Sequence, residues 1–269
     1  MHIDQLFEQV KQQISQSSTS AEISVPANWA QGRTLYGGIS ASLVYRAARE
    51  ITDNLKSLRS LNTNFIGPIE PDSPFIIKIE TVREGKNTSV VRGDILQNGK
   101  VALSTLANFG LDRASSIKID NHIKHAMEKP NESNFIPMIP NITPSFLAHF
   151  DLAKIVGEMP FSSSKTADIH GWMRFKEAPA VFTDAHLVAI IDLWPPTILQ
   201  MLPSPAPAST MSWNLEFIYP HKIFNNDEWF AYQATTRQAS NGYAHTEANI
   251  WDEEGALVAI SRQVVAVFD

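Results

Sequence analysis

The chain contains no cysteine. Disulfide stapling and thiolate chemistry are therefore excluded, whether the thiolate would act as nucleophile or as metal ligand. No uninterrupted apolar run approaches the roughly 18 residues of a membrane-spanning helix, so no membrane-embedded part is expected. Positive charge is scarce: 22 Lys and Arg stand against 28 Asp and Glu, a net charge of −6. With no basic stripe, this argues against a nucleic-acid partner. The opening MHIDQLFEQVKQQISQSS lacks the apolar core of a signal peptide and reads as a short amphipathic helix. The closing Val267-Phe268-Asp269 is not a peroxisomal tripeptide. A cytoplasmic protein is the expectation.

Familiar catalytic signatures are missing too. There is no G-x-S-x-G elbow, no G-x-x-x-x-G-K-S/T phosphate loop, no G-x-G-x-x-G and no H-E-x-x-H. The eight histidines are scattered without metal spacing, so no metal and no cofactor are expected. His122 and His125 fall in a polar stretch and read as solvated. His170 and His245 fall in strand-like stretches and read as structural.

What is present is a globular composition: 269 residues, 43% apolar and 19% charged, enough for a substantial core. From Gly37 to Ile51 the apolar residues Ile39, Leu43, Val44, Ala47, Ala48 and Ile51 form one helical stripe. Four strand-like stretches follow, Leu58 to Ile69, Phe75 to Arg83, Thr88 to Gln97 and Lys100 to Phe109. Turn residues separate them, and Asn98-Gly99 suits a tight hairpin.

The second half repeats this order. An apolar helix is predicted around Asp192 to Leu202, then strands at Ser209 to Tyr219, Glu228 to Arg237, Ala244 to Trp251 and Leu257 to Phe268. Phe65-x-x-Pro68 matches Phe217-x-x-Pro220, and Gly99 matches Gly255. Further strand candidates precede each helix: Glu22 to Asn28, then Ala148 to Glu158 and Asp168 to Phe175. A helix followed by antiparallel strands, given twice, predicts two α+β units of one design. The expected boundaries are residues 1–110 and 144–269. Between them, residues 111–143, with Pro130, Asn131, Pro137, Pro140 and Asn141, read as a linker.

Asp192 is the conspicuous polar outlier, the one charged residue between Asp184 and Glu216. A carboxylate in such surroundings needs hydrogen bonds or a partner. It reads either as a structural Asp bonding a helix end or strand, or as a general base tuned by burial. Thr210 opens the following strand and Gln263 interrupts the last one; each taken alone reads as structural. Tyr36-Gly37-Gly38 opens the first helix. The glycines either permit tight packing or bring free N–H groups to a developing negative charge.

Ordered short motifs then point to a family. Leu35-Tyr-Gly-Gly, Leu61-Asn-Thr-Asn-Phe-Ile-Gly-Pro68, Glu80-Thr-Val-Arg-Glu-Gly-Lys86 and Ile95-Leu-Gln-Asn-Gly-Lys100 resemble the N-terminal half of bacterial acyl-CoA thioesterase II. Ala208-Ser-Thr-Met211, Phe217-x-x-Pro220, Asn226-Asp-Glu-Trp229 and Gly255-Ala-Leu-Val-Ala259 resemble its C-terminal half. The resemblance implies an α+β double hotdog, in which a curved antiparallel sheet wraps a long helix, twice over. It implies hydrolysis of acyl-CoA thioesters by water held at an Asp, a Thr and a Gln, roles that fall on Asp192, Thr210 and Gln263. It also implies a homodimer or homotetramer. Gly37 and Gly38 are the candidates for binding the oxyanion.

Two departures from the family pattern stand out: Met211-Ser-Trp-Asn214 after Thr210, and Pro195-Pro196 after Asp192. Prolines suit a first helical turn, so Asp192 is expected just before a helix whose dipole favours its ionised form. Two other functions fit parts of the sequence. A hotdog enoyl-thioester hydratase calls for an Asp with a His five residues later. Asp120 and His125 have that spacing but lie in the linker, and the fifth residue from Asp192 is Thr197. A non-catalytic acyl-thioester-binding protein of the same fold is the other.

Overall fold

The computed structural model describes residues 1–139 and 142–269; Pro140 and Asn141 of the expected linker lie outside the described residues. The chain forms two compact units. The first holds residues 1–123 together with 144–146 and 183–189; the second holds 124–143, 147–182 and 190–269.

In the first unit, helix α1 (Ile3–Ser17) buries Ile3, Leu6, Phe7, Val10 and Ile14 along one stripe. Its start is closed by a capping box: His2 accepts from the Asp4 N–H while Gln5 reaches back to the His2 N–H. Strand β1 (Ser20–Ile23), a two-residue pair β2 (Ala30–Gln31) and β3 (Thr34–Leu35), and helix α2 (Gly37–Glu50) follow. Then come β4 (Ser57–Phe65), β5 (Phe75–Glu84), β6 (Thr88–Gln97) and β7 (Lys100–Gly110). The sheet runs β1-β5-β6-β7-β4, antiparallel throughout. Helix α2 packs across β4 to β7. Gly93 on β6 is required there, because a Cβ would collide with the Val44 side chain. The hairpin from β6 to β7 turns on Asn98 (φ 53°) and Gly99 (φ 75°), the positive angles that Asn-Gly accepts at low cost.

The second unit contains β8 (Phe150–Val156), β9 (Asp168–Phe175), β10 (Ala208–Phe217), β11 (Phe230–Ser240), β12 (Tyr243–Trp251) and β13 (Leu257–Val267). Its order is β10-β13-β12-β11-β9-β8. The two halves therefore share one layout: β4, β7, β6 and β5 correspond to β10, β13, β12 and β11. Phe65 and Phe217 each end the corresponding strand, and Gly99 and Gly255 each sit in the corresponding hairpin. The two α+β units expected from the repeat are present, and the double hotdog that the resemblance implies is the architecture.

The expected helix from Asp192 to Leu202 does not form as one piece. Helix α3 spans Asp184–Ile191 and ends before Asp192. A 3-10 turn follows at Thr197–Met201. Pro195 and Pro196 lack N–H donors, and Trp194 before a proline avoids the α region, so the helix cannot continue through them. The 3-10 turn packs on β9 and β11. Thr197 Oγ1 lies 2.6 Å from Thr236 Oγ1, and Gln200 Nε2 donates to the Asp168 carbonyl at 3.0 Å.

The segment read as linker is partly a built element. From Lys124 it belongs to the second unit. His125, expected in solvent, sits edge-on to Trp172 and Trp251 with ring centroids 5.3 Å from each. Trp172 Nε1 donates to the Glu128 carbonyl at 2.8 Å. The two indoles are buried by the segment that the sequence presents as polar.

Candidate active site

Asp192, Thr210 and Gln263 meet in the second unit, although they lie on three separate elements. Gln263 stands on β13, opposite Trp213 of β10 and Thr246 of β12. Its Nε2 donates to Asp192 Oδ1 at 2.9 Å. Thr210 Oγ1 donates to Gln263 Oε1 at 3.0 Å. All three side chains are half-buried.

A bulge makes this arrangement possible. On β10, Thr210 opposes Val265 while Ser212 opposes Val264, so Met211 is the extra residue. Trp213 opposes Gln263. In a regular strand Thr210 and Trp213, three apart, would point to opposite faces. With the bulge both share the face of Gln263. Trp213 then donates its Nε1–H to Ser261 Oγ at 2.8 Å, and its ring is buried beside the site.

Asp192 occupies the turn directly after α3, and the Leu193 N–H bonds back to the Ile190 carbonyl at 3.1 Å. The expectation that a helix N-terminus would favour its ionised form is thus corrected. It is the carbonyl end of α3 that adjoins Asp192, and the following helical turn is short. The carboxylate instead accepts from Gln263 Nε2 on β13.

The polarity of this chain of bonds is informative. An ionised Asp192 only accepts, so the Gln263 amide must present nitrogen to it and oxygen to Thr210. The Thr210 proton is then committed to Gln263. The lone pairs of Thr210 Oγ1 remain able to accept.

Around the three residues, the sequence alone gives no sign of the remaining wall. Tyr232 on β11 is buried, and burial, then the Asp192 charge, hold its phenol well above its usual range. It stays protonated and is not a base. Trp194, two residues after Asp192, stacks on Tyr232 with centroids 6.1 Å apart. Its ring lies against Gly171 of β9, where any Cβ would collide with it. The Trp194 environment had one signal in the sequence, the rigid Trp-Pro-Pro run; Thr246 had none.

The glycine pair belongs to the first unit. The Tyr36 side chain does not cap α2. Tyr36 donates its hydroxyl to the Ala189 carbonyl at 2.7 Å and stacks on Phe146 with centroids 4.1 Å apart. A Cβ on Gly38 would lie 2.5 Å from the Ala189 carbonyl oxygen and from the Tyr36 ring. Close packing thus accounts for Gly38, while Gly37 is half-buried at the helix start.

Other candidate pairs do not assemble. The two ring nitrogens of His125 bond nothing among the described residues, and Asp120 pairs with Lys118 at 3.3 Å. The Asp120 and His125 spacing therefore makes no acid–base pair. His245 is exposed on β12, and His170 lies on β9 opposite Gln233. Among the described residues, no three His, Asp or Glu side chains gather as a metal site, and no helix is long and apolar enough to cross a membrane.

Comparison with known proteins gives a consistent picture. The acyl-CoA thioesterase N-terminal domain matches residues 25–110, and the acyl-CoA thioesterase C-terminal domain matches residues 125–267. Acyl-CoA thioesterase 2 of Haemophilus influenzae is 21% identical over 259 residues, covering 86% of each chain. A hot dog fold protein of unknown function from Alicyclobacillus acidocaldarius superposes with a TM-score of 0.81 at 23% identity, over 93% of this chain and 94% of that one. An acyl-CoA thioesterase II from Mycobacterium marinum gives 0.68 at 20% identity, over 93% of each.

Proposed function

Since this chain belongs to the acyl-CoA thioesterase family and is a thioester hydrolase, we propose that Asp192 activates the attacking water. The observation that carries this reading is the bonded series Thr210–Gln263–Asp192. Within it the Asp192 carboxylate and the Thr210 lone pairs act as acceptors. A water donating to both turns its own lone pair outward, toward a thioester carbonyl. The geometry thus supports Thr210 as an acceptor for the water, and Gln263 as the residue that fixes the other two.

The step balances without a cofactor. The water oxygen bonds to the acyl carbon as its proton passes to Asp192. Negative charge builds on the former carbonyl oxygen, where N–H donors stabilise it. Collapse of the tetrahedral species breaks the C–S bond. The proton on Asp192 goes to the departing CoA sulfur, and the acid is released. Positioning and base assistance together supply several kcal/mol of barrier lowering.

The test is Asp192→Asn, with thiol release from acyl-CoA and melting temperature measured on the same sample. Asn keeps the volume and an acceptor oxygen but cannot take the water proton. Turnover falls by roughly 10² to 10⁴ with the melting temperature held. A fully active Asn variant sinks the assignment. The non-catalytic binding reading then gains, since the same fold could hold an acyl thioester without cleaving it.

We also propose a cytoplasmic homodimer or homotetramer, with residues 1–110 and 144–269 as its hotdog units and 111–143 as the connection. The family resemblance supports the assembly. Sedimentation at several concentrations decides it: a mass staying at the 29.9 kDa of one chain overturns it.

A further inference from the structure

A cleft of about 800 Å³ opens in the first unit, a size typical of small-molecule sites. Strands β4 to β7 and the segment after β7 line it. Its cations are Arg59, Arg83 and Arg113, and its one carboxylate is Asp112. Register fixes the direction of the wall. Arg83 of β5 stands opposite Val90 of β6, and Val90 stands opposite Asn108 of β7. Paired residues share a face, so these three side chains form one row. Gly93, three residues along β6, belongs to the other face, where Val44 of α2 packs. The cleft therefore lies on the side of its sheet turned away from α2. In the second unit the series Thr210–Gln263–Asp192 lies on the side that meets α3, since Asp192 follows that helix directly. The two features use opposite faces of corresponding strands.

The charges of the cleft are not balanced from within. Arg59 donates to the Gly110 carbonyl at 3.1 Å and to Asp112, which commits that carboxylate. Glu84, next to Arg83, is taken by the buried Lys56. Arg83 and Arg113 are exposed and pair with no group among the described residues. The imbalance is local. Arg92, two residues from Val90 on the same face, is neutralised by Glu80 at 3.1 Å and by Asp94 at 3.3 Å. The walls are held in place. Lys56 Nζ donates to the Gly85 carbonyl at 2.8 Å and to Ser89 Oγ at 2.7 Å, and the Leu111 N–H bonds the Asn87 carbonyl at 2.9 Å. Gly110 leaves room for Arg59, because a Cβ there would lie 3.4 Å from its Cγ and Nε.

We propose that this cleft is a second ligand site, which takes the phosphate end of a free nucleotide between Arg83 and Arg113. The planar guanidinium fork matches phosphate oxygens two at a time, and both partners are charged. Ser115 Oγ in the wall accepts from the Ile117 N–H at 3.1 Å and keeps its own proton to give. A bare phosphate fills only a small part of the volume, so the ligand carries a larger body. Val90, Leu111 and Ala114 offer apolar surface for it, which suits a base better than a second anion. Because the cleft and the hydrolytic series use opposite faces, the ligand is a nucleotide other than the one carried by the substrate.

The experiment is titration calorimetry on the full chain with ADP, inorganic phosphate, adenosine and CoA. ADP is expected to bind at least about tenfold more tightly than inorganic phosphate or adenosine, each of which offers only one part of the ligand. Arg83→Gln combined with Arg113→Gln removes both open charges at exposed positions. This double variant is expected to weaken ADP by about tenfold or more, with melting temperature and thiol release from acyl-CoA unchanged. CoA separates the two sources of the phosphate. Protein saturated with ADP is expected to bind CoA as the free protein does. Displacement of ADP by CoA would overturn the proposal and give the cleft to the nucleotide end of the substrate. ADP affinity no better than that of adenosine, or unchanged in the double variant, overturns it as well. Binding is read without turnover, so a failure of the hydrolytic reading leaves this test standing.

Discussion

At the scale of single residues, Gln263 is the pivot, because it is the one member of the series that both gives and takes. Its amide orientation follows from Asp192 being an acceptor. Replacing it by Glu keeps the length and the bond from Thr210 but removes the N–H that holds Asp192. Two carboxyl groups would then face each other at hydrogen-bond distance, and such a pair cannot both stay ionised. Gln263→Glu is expected to lower turnover at neutral pH by about 10² or more and to make the acid limb of the pH–rate profile steeper. Unchanged turnover would show that the amide does not hold the base. Asp192 and Gln263 were visible in the sequence because each interrupts an apolar run. Thr210 was noted beside them but read alone as structural, since threonine is ordinary in strands; only the family resemblance gave it a role. Thr246 and Tyr232 were invisible for the same reason: their importance comes from opposing Gln263 and lying beside Trp194, and pairing register is not written in any one strand.

At the scale of elements, strand positions follow alternation and turn chemistry, and Thr88–Gln97, Asp168–Phe175 and Leu257–Val267 lie where the pattern placed them to within a residue. Helices near the site were less legible. The apolar run from Leu187 to Leu202 hides a break, because hydrophobicity is continuous across it while hydrogen bonding is not. The prolines were read as a helix start, yet their effect is to stop α3 and leave Trp194 at a bend between it and the 3-10 turn. The bulge at Met211 had no signal at all. Gly171 completes this local design by leaving space on β9 for the Trp194 ring. Gly171→Ala would place a methyl against both that ring and the Ala153 carbonyl, 2.5 Å away. Overpacking of this kind costs about 1–3 kcal/mol. The expected result is a lowered melting temperature and, because Trp194 lies two residues from Asp192, a fall in kcat beyond what unfolding explains. A variant as stable and active as the parent would mean that the ring is free to move.

At the scale of the whole molecule, the chain does not run through one unit and then the other. Residues 183–189, the start of α3, count with the first unit. Their anchor is His186, whose partner Asp4 lies in the first helical turn. The Thr183 N–H donates to His186 Nδ1 at 3.1 Å, so that nitrogen carries no proton. Nε2 therefore holds the ring proton and donates to Asp4 Oδ1 at 2.9 Å. The ring is neutral when folded. Burial pushes its pKa down to about 4, against the opposing pull of the Asp4 carboxylate. An unfolded chain would titrate this histidine near its ordinary value of about 6.5. Between those values the unfolded state binds more protons, so stability rises with pH. The contribution is fully present above about pH 6.5 and is lost as pH falls through about 4, up to about 3 kcal/mol in all. His125 acts with the same sign, because burial between the tryptophans also lowers its pKa. Denaturant midpoints measured from pH 7.5 down to 4.5 should therefore fall steadily. His186→Gln offers a neutral donor and acceptor in the same place and should flatten that dependence markedly, with His125 and His170, whose pKa burial also lowers, contributing to what remains. A variant whose midpoint falls as steeply as the parent's would show that His186 is not buried in neutral form and that the tie to Asp4 is an ion pair.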